Sequence, residues 1–231
     1  MKSIQTRNKI LLFDLDGTLV DTEKLAMKVI SEYCAEKRLF SQDTYLKNVS
    51  ELIIGRTWGS AIQDMILRYS LSLDPVQFEA ELKSKYRQHL SRGVDLVPGV
   101  LEKLSELKSS AHFMGIVTGS SRDEVEIILR SKGMESFFDQ IWSAENYLEG
   151  KPSPMPFLTA FEEIKTRMQS EVGMTIDPQD VIVFEDSIAG MESSSSAGFS
   201  FVQVLHSHPL MPLDVRALFS IQDWRDLKVS E

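Results

Sequence analysis

The sequence predicts a doubly wound α/β domain interrupted by a helical insert. Short, nearly continuous apolar runs recur along the chain, as strands do when helices cover both faces of a parallel sheet. Amphipathic helical patterns separate the later runs, giving the strand–helix alternation of such a sheet. Residues 22–95 are different, with helical patterns and no convincing strand.

The strand runs are KILLF (9–13), HFMGIVT (112–118), QIWSA (140–144), DVIVFED (180–186) and FVQVL (201–205). After the first comes the insert. Leu25, Val29, Ile30 and Tyr33 share one face of a helix there, with Cys34 on its apolar side. A second helix opens at Asp74-Pro75, a favourable start, and repeats Phe78, Leu82 and Tyr86. The sheet resumes near Val97-Pro98-Gly99. Val100, Leu101, Leu104 and Leu107 then mark one helix. Val125, Ile128 and Leu129 mark another, which stops at Gly133. Phe157, Leu158, Phe161 and Ile164 mark a third. The serine run 193–196 reads as a small-residue helix face packed closely on the sheet. In HSHPLMPLDV two neighbouring histidines admit metal binding, but Pro209 and Pro212 favour a polar loop. The expected organisation is a discontinuous core of residues 1–20 and 97–231 with a helical cap of residues 21–96.

Net charge is −9, from 25 basic and 34 acidic residues, with no long basic cluster. That excludes the electrostatic footprint of a nucleic-acid binder. The N-terminal segment MKSIQTRNKILLF resembles neither a signal peptide nor a membrane span. Cys34 stands alone, so no intrachain disulfide can form, which suits a reducing compartment. A cytoplasmic protein with no membrane partner is expected.

Chemistry collects behind the strands. The first runs into Asp14-Leu15-Asp16-Gly17-Thr18, the second into Thr118-Gly119-Ser120, and the fourth into Glu185-Asp186-Ser187. Open parallel sheets bind ligands beyond the carboxyl ends of their strands, so these groups converge on one edge. Buried acids repel one another and are costly to desolvate, which calls for a cation. Mg²⁺ takes oxygen ligands and shares substrate phosphate oxygens. Asp14 and Asp186 could supply them, with Glu185 beside. Thr118 or Ser120 could hydrogen-bond a phosphoryl oxygen, and Gly119 allows close backbone approach. Lys151, in the proline-rich EGKPSPMPF, would balance charge on the nucleophile or phosphoryl group. Asp16 is placed to act as acid or base. Taken singly, Asp14 and Asp16 would read as turn formers, Thr118 to Ser120 as loop and Lys151 as surface; their company selects the chemical reading. Asp21 and Glu23 read as acids at a helix N-terminus.

DLDGTLVDTE after an apolar strand, a hydroxyl after a second strand, lysine before PSP and FEDSIAG after another strand together resemble the haloacid dehalogenase superfamily, in its β-phosphoglucomutase-like and phosphatase-like branch. The resemblance spans residues 9–205 in order. It implies a Rossmann-like core with a cap that closes over the site. It implies Asp14 as the phosphorylated nucleophile and Asp16 as general acid/base, its carbonyl also on Mg²⁺. Thr118 and Lys151 fill the second and third motifs, and Glu185 and Asp186 the fourth, with Asp186 as the surer Mg²⁺ ligand. Arg56, in the cap segment IIGRTWG, would meet the substrate's distal group, or else is a surface arginine.

The expected activity is Mg²⁺-dependent hydrolysis of a small phosphorylated metabolite, a sugar phosphate being one candidate. A phosphomutase is the alternative. Its family places a cap histidine soon after the acidic motif, whereas Ala26 stands there in this chain, and no histidine occurs between Asp16 and His89. Phosphonate hydrolysis, through Lys24 or Lys28, and a non-catalytic binding protein are weaker alternatives.

Overall fold

The computed structural model describes residues 2–39 and 58–230. The chain forms two compact units, Met1–Asp21 with Asp95–Glu231, and Thr22–Val94.

The first unit is built on a parallel sheet. Its strands are β2 (Ile10–Phe13), β3 (Phe113–Val117), β4 (Gln140–Trp142), β5 (Val181–Glu185), β6 (Ser200–Val204) and β7 (Phe219–Ile221), and β1 (Lys2–Gln5) precedes them in the chain. The order across the sheet is β4-β3-β2-β5-β6-β7, and every pairing is parallel. All residues of β2, β3 and β5 are buried, as their continuous apolar runs require. β2 lies centrally, with Phe13 level with Ile116 of β3 and with Phe184 of β5. From β2 the chain builds first to one side and then to the other. The carboxyl ends of β2 and β5 therefore flank the point where the order reverses, the usual place for a ligand crevice.

The expected strands are thus present. The strand β1, its parallel partner β8 (Leu227–Ser230) and β7 had no signal strong enough to be read. In β1 only Ile4 is buried, and its partner lies at the far end of the sequence.

Helices connect the strands. Of these, α4 (Val100–Ser110), α5 (Arg122–Lys132), α6 (Met155–Val172) and α7 (Ile188–Ser196) belong to the first unit, after α1 to α3 of the other. Glu124 accepts from the Ser121 amide to cap α5, and Gly133, at φ 64°, ends it. α6 lays Phe157, Phe161, Ile164 and Met168 into a core shared with Trp142, Phe113 and Phe201. α7 buries Ser193 and Ser194, the small face expected of the serine run.

In the second unit, α1 (Thr22–Glu36), α2 (Trp58–Arg68) and α3 (Pro75–Arg92) pack on Val29, Ile30, Ile62, Met65, Phe78 and Leu82. Asp74 caps α3 by accepting from the Gln77 amide at 2.8 Å. Polar pairs link α1 to α3: Tyr33 Oη donates to Glu81 at 2.8 Å, and His89 Nε2 lies 2.9 Å from Glu32. Cys34 is buried in this unit. Arg56 lies outside the described residues. Among those described, no helix is long and apolar enough to cross a membrane.

Candidate active site

Asp14 directly follows β2, and its amide donates to the Phe184 carbonyl of β5 at 3.0 Å. This bond continues the ladder one residue past the strand and fixes the backbone from which the carboxylate projects. Asp14 is 7% exposed, Asp186 3% and Glu185 0%, so three acids sit where water cannot screen them.

Lys151 answers part of that charge. Its Nζ donates to Asp14 Oδ1 at 2.6 Å, to Glu185 Oε1 at 2.6 Å and to the Val117 carbonyl at 2.9 Å. The ammonium is thereby fully used by acceptors at the carboxyl ends of β2, β3 and β5. Burial favours its neutral amine, but Asp14 and Glu185 outweigh burial and hold the ammonium above the ordinary lysine range. Burial pushes the Asp14 carboxyl well above its ordinary value. Lys151 pulls it down, while Glu185 and Asp16 push it further up.

The other Glu185 oxygen accepts from the Ser187 amide at 2.9 Å and hydroxyl at 3.0 Å. That hydroxyl in turn accepts from the Gly190 amide and caps α7. Asp186 Oδ1 accepts from the Thr18 hydroxyl at 3.0 Å. Gly17 runs against the same carboxylate: a Cβ there would stand 2.0 Å from Asp186 Oδ2, and its φ of +85° is a conformation glycine adopts without strain.

Asp16 is held differently. Its Oδ2 accepts from the Thr118 hydroxyl at 3.1 Å and the Ser120 hydroxyl at 2.6 Å. The Ser120 amide returns to Thr118 Oγ1 at 3.1 Å. Both hydroxyls that sequence reasoning offered to a phosphoryl group therefore orient the second aspartate in this structure. Gly119, between them, has nothing within 4 Å of where a Cβ would stand.

One oxygen from each of Asp14, Glu185 and Asp186 can be chosen so that all lie within 4.8 Å of one another. An all-oxygen set suits a hard cation such as Mg²⁺. The charge balance suits it too, since the single ammonium of Lys151 is shared by Asp14 and Glu185, and Asp186 is a third buried acid beside them. Both Glu185 oxygens have protein donors, Lys151 on one and Ser187 on the other, so Glu185 anchors the lysine beside Asp14.

Two neighbours escaped the sequence reading. Tyr147 donates its hydroxyl to the Thr118 carbonyl. His208 brings Nε2 to 3.6 Å from Asp186 Oδ2, whereas His206 faces Asp21 at 3.6 Å. The two histidines thus have separate partners. Only the proximity of HSH to a strand end hinted at His208, and nothing in ENYLEGK marked Tyr147.

Comparison with known proteins gives this geometry a context. The chain is 29% identical over 228 residues to the protein CbbY of Rhodobacter capsulatus, covering 94% of this chain and 92% of that one. It is 28% identical over 202 residues to a phosphorylated carbohydrates phosphatase of Thermotoga maritima, covering 85% of each. Against the bifunctional riboflavin kinase/FMN phosphatase of Arabidopsis thaliana it is 26% identical over 204 residues, 87% of this chain but only 50% of that protein. The crystal structure of CbbY from Rhodobacter sphaeroides in complex with phosphate superposes with a TM-score of 0.72 at 21% identity, covering 95% of this chain and 96% of that one, which is a likeness of fold. Residues 11–204, from β2 with its trailing aspartates to the end of β6, match the family of haloacid dehalogenase-like hydrolases, and the chain belongs to that family.

Proposed function

We propose that this hydrolase is a Mg²⁺-dependent phosphatase that removes the phosphoryl group from a small metabolite through an aspartyl phosphate on Asp14. The observation that carries this is the bridge of Lys151 between Asp14 and Glu185, at 2.6 Å to each, inside the acidic cluster with Asp186. It holds a buried carboxylate at the end of a central strand with a cation on one side and oxygen donors on the other. The phosphatase names among the relatives support phosphate monoesters as substrates. A sugar phosphate is the finer candidate.

Asp14 and Asp186 would hold the metal, with the Asp16 carbonyl as the family resemblance implies. When bound, Mg²⁺ supplies positive charge that offsets the repulsion between a carboxylate nucleophile and a phosphate dianion. The protein's own groups do the rest. An Asp14 oxygen attacks phosphorus as the ester P–O bond breaks, and Asp16 gives its proton to the leaving oxygen. Asp16 then takes a proton from water, which attacks phosphorus and releases Asp14 and inorganic phosphate. Thr118 and Ser120 keep the Asp16 carboxyl aimed for both transfers, and Lys151 keeps Asp14 oriented. General acid–base catalysis alone gives roughly 10²–10⁴, far short of the accelerations known for phosphate monoesters, so positioning and charge must act with it. The division into a catalytic core (1–20, 97–231) and a helical cap (21–96), with substrate selection assigned to the cap, belongs to the same proposal.

The test is phosphate release from a panel of phosphorylated metabolites, with Mg²⁺ and with a chelator. Metal-dependent release of free phosphate is expected. An isomerised sugar phosphate as product would replace the proposal with a mutase. Tight binding without turnover in Mg²⁺ would make the protein a binder.

A further inference from the structure

Lys151 and Tyr147 come from one loop and donate to consecutive carbonyls at the end of β3, Lys151 to Val117 and Tyr147 to Thr118. The Thr118 carbonyl shares its planar peptide unit with the Gly119 amide. That unit is trans, so its C=O and N–H point in opposite directions. A donor fixed on the carbonyl therefore fixes where the Gly119 N–H points. The Ser120 amide is taken by Thr118 Oγ1, while the Gly119 amide has no acceptor among the described residues. Space beside Gly119 is open, as nothing stands within 4 Å of its Cβ position.

We propose that Tyr147 is a positioning residue: its hydroxyl locks the Thr118–Gly119 peptide so that the Gly119 N–H is presented to the phosphoryl group being transferred. This rests on the phosphatase reading above. An amide donor held rigidly costs no reorganisation as charge develops in the transition state, and this is where such donors contribute most. Without the phenol the peptide plane is free to rotate, since glycine offers little steric resistance. Burial pushes the phenol up to about 12, with Lys151 opposing and Asp14 and Glu145 adding, so it remains a donor throughout the neutral range.

The test compares wild type with Tyr147→Phe, which keeps the ring and removes the hydroxyl. Two readouts are used: steady-state hydrolysis of p-nitrophenyl phosphate in MgCl₂, and the Gly119 amide resonance of ¹⁵N-labelled protein without metal or substrate. We expect kcat and kcat/KM to fall together about tenfold to a hundredfold with KM unchanged, the signature of an interaction made in the transition state. We also expect the Gly119 resonance to move. Thermal midpoints establish that both proteins are folded, and Tyr147→Trp serves as a second aromatic variant lacking the hydroxyl should Tyr147→Phe fail to fold. An unmoved resonance overturns the inference, and so does a moved resonance with wild-type kcat. If wild type hydrolyses no phosphate ester in Mg²⁺, the phosphatase reading fails by itself. In that case a moved resonance retains the peptide lock and an unmoved one removes it.

Discussion

Gly190→Ala inverts an ordinary rule. Alanine in a helix is favoured over glycine by about 0.8–1.0 kcal/mol, so the change in α7 should stabilise. At this position, however, a Cβ would stand 1.7 Å from Glu185 Oε1, 1.9 Å from Cδ and 2.4 Å from Oε2. Glu185 is fully buried and has nowhere to retreat. Displacing it strains packing by about 1–3 kcal/mol. It also disturbs bonds to Lys151 at 2.6 Å and to Ser187 at 2.9 and 3.0 Å. Hydrogen bonds to charged groups contribute about 1.5–3 kcal/mol each. Even with partial relaxation the penalty exceeds the propensity gain, leaving a net destabilisation of about 2–4 kcal/mol. For a chain of this size that lowers the thermal midpoint by roughly 5–15 °C. Thermal melts of wild type, Gly190→Ala, Glu185→Ala and the double variant form a cycle. With the carboxylate gone, alanine at 190 should become neutral or stabilising. A Gly190→Ala protein as stable as wild type, or an equal loss in the Glu185→Ala background, refutes the reasoning.

Asp14→Asn should abolish turnover, measured as phosphate release. Because the folded-state Asp14 carboxyl titrates above its ordinary value, proton loss from it costs the wild type stability as pH rises through and beyond the ordinary aspartate range. Asparagine has no such proton, so in chelator the variant's thermal midpoint should rise relative to that of wild type as pH rises; a flat or falling difference speaks against it. Lys151→Met preserves volume but leaves Asp14 and Glu185 without their shared cation, and removing one partner of a buried pair costs about 3–5 kcal/mol. Urea titrations at neutral pH should show that loss; a Lys151→Met protein as stable as wild type speaks against the bridge. Gly17→Ala combines a left-handed backbone penalty of about 1–2 kcal/mol with a Cβ 2.0 Å from Asp186 Oδ2. Isothermal titration should find Mg²⁺ affinity reduced about tenfold to a hundredfold, as for other disturbed supports of metal ligands; unchanged affinity would take Asp186 out of the metal site.

The sequence by itself determined five of the eight described strands, β2 to β6, and placed the polar residues that follow them. Ile10–Phe13, Phe113–Val117 and Val181–Glu185 are apolar without interruption because both faces of the sheet are covered, and that signal is local. Acids, hydroxyls and a lysine directly behind such runs are equally local, so Asp14, Asp16, Thr118, Lys151, Glu185 and Asp186 could be read in order. Tertiary structure alone decided which atoms meet. Thr118 and Ser120 turn to Asp16, Tyr147 takes the Thr118 carbonyl, and His208 comes to Asp186 although its segment reads as a plain loop. The strands β1 and β8 pair across nearly the whole chain, with little apolar pattern in either. These contacts follow from the order of strands in the sheet, which depends on long-range pairing and leaves no periodic mark on the segments it brings together.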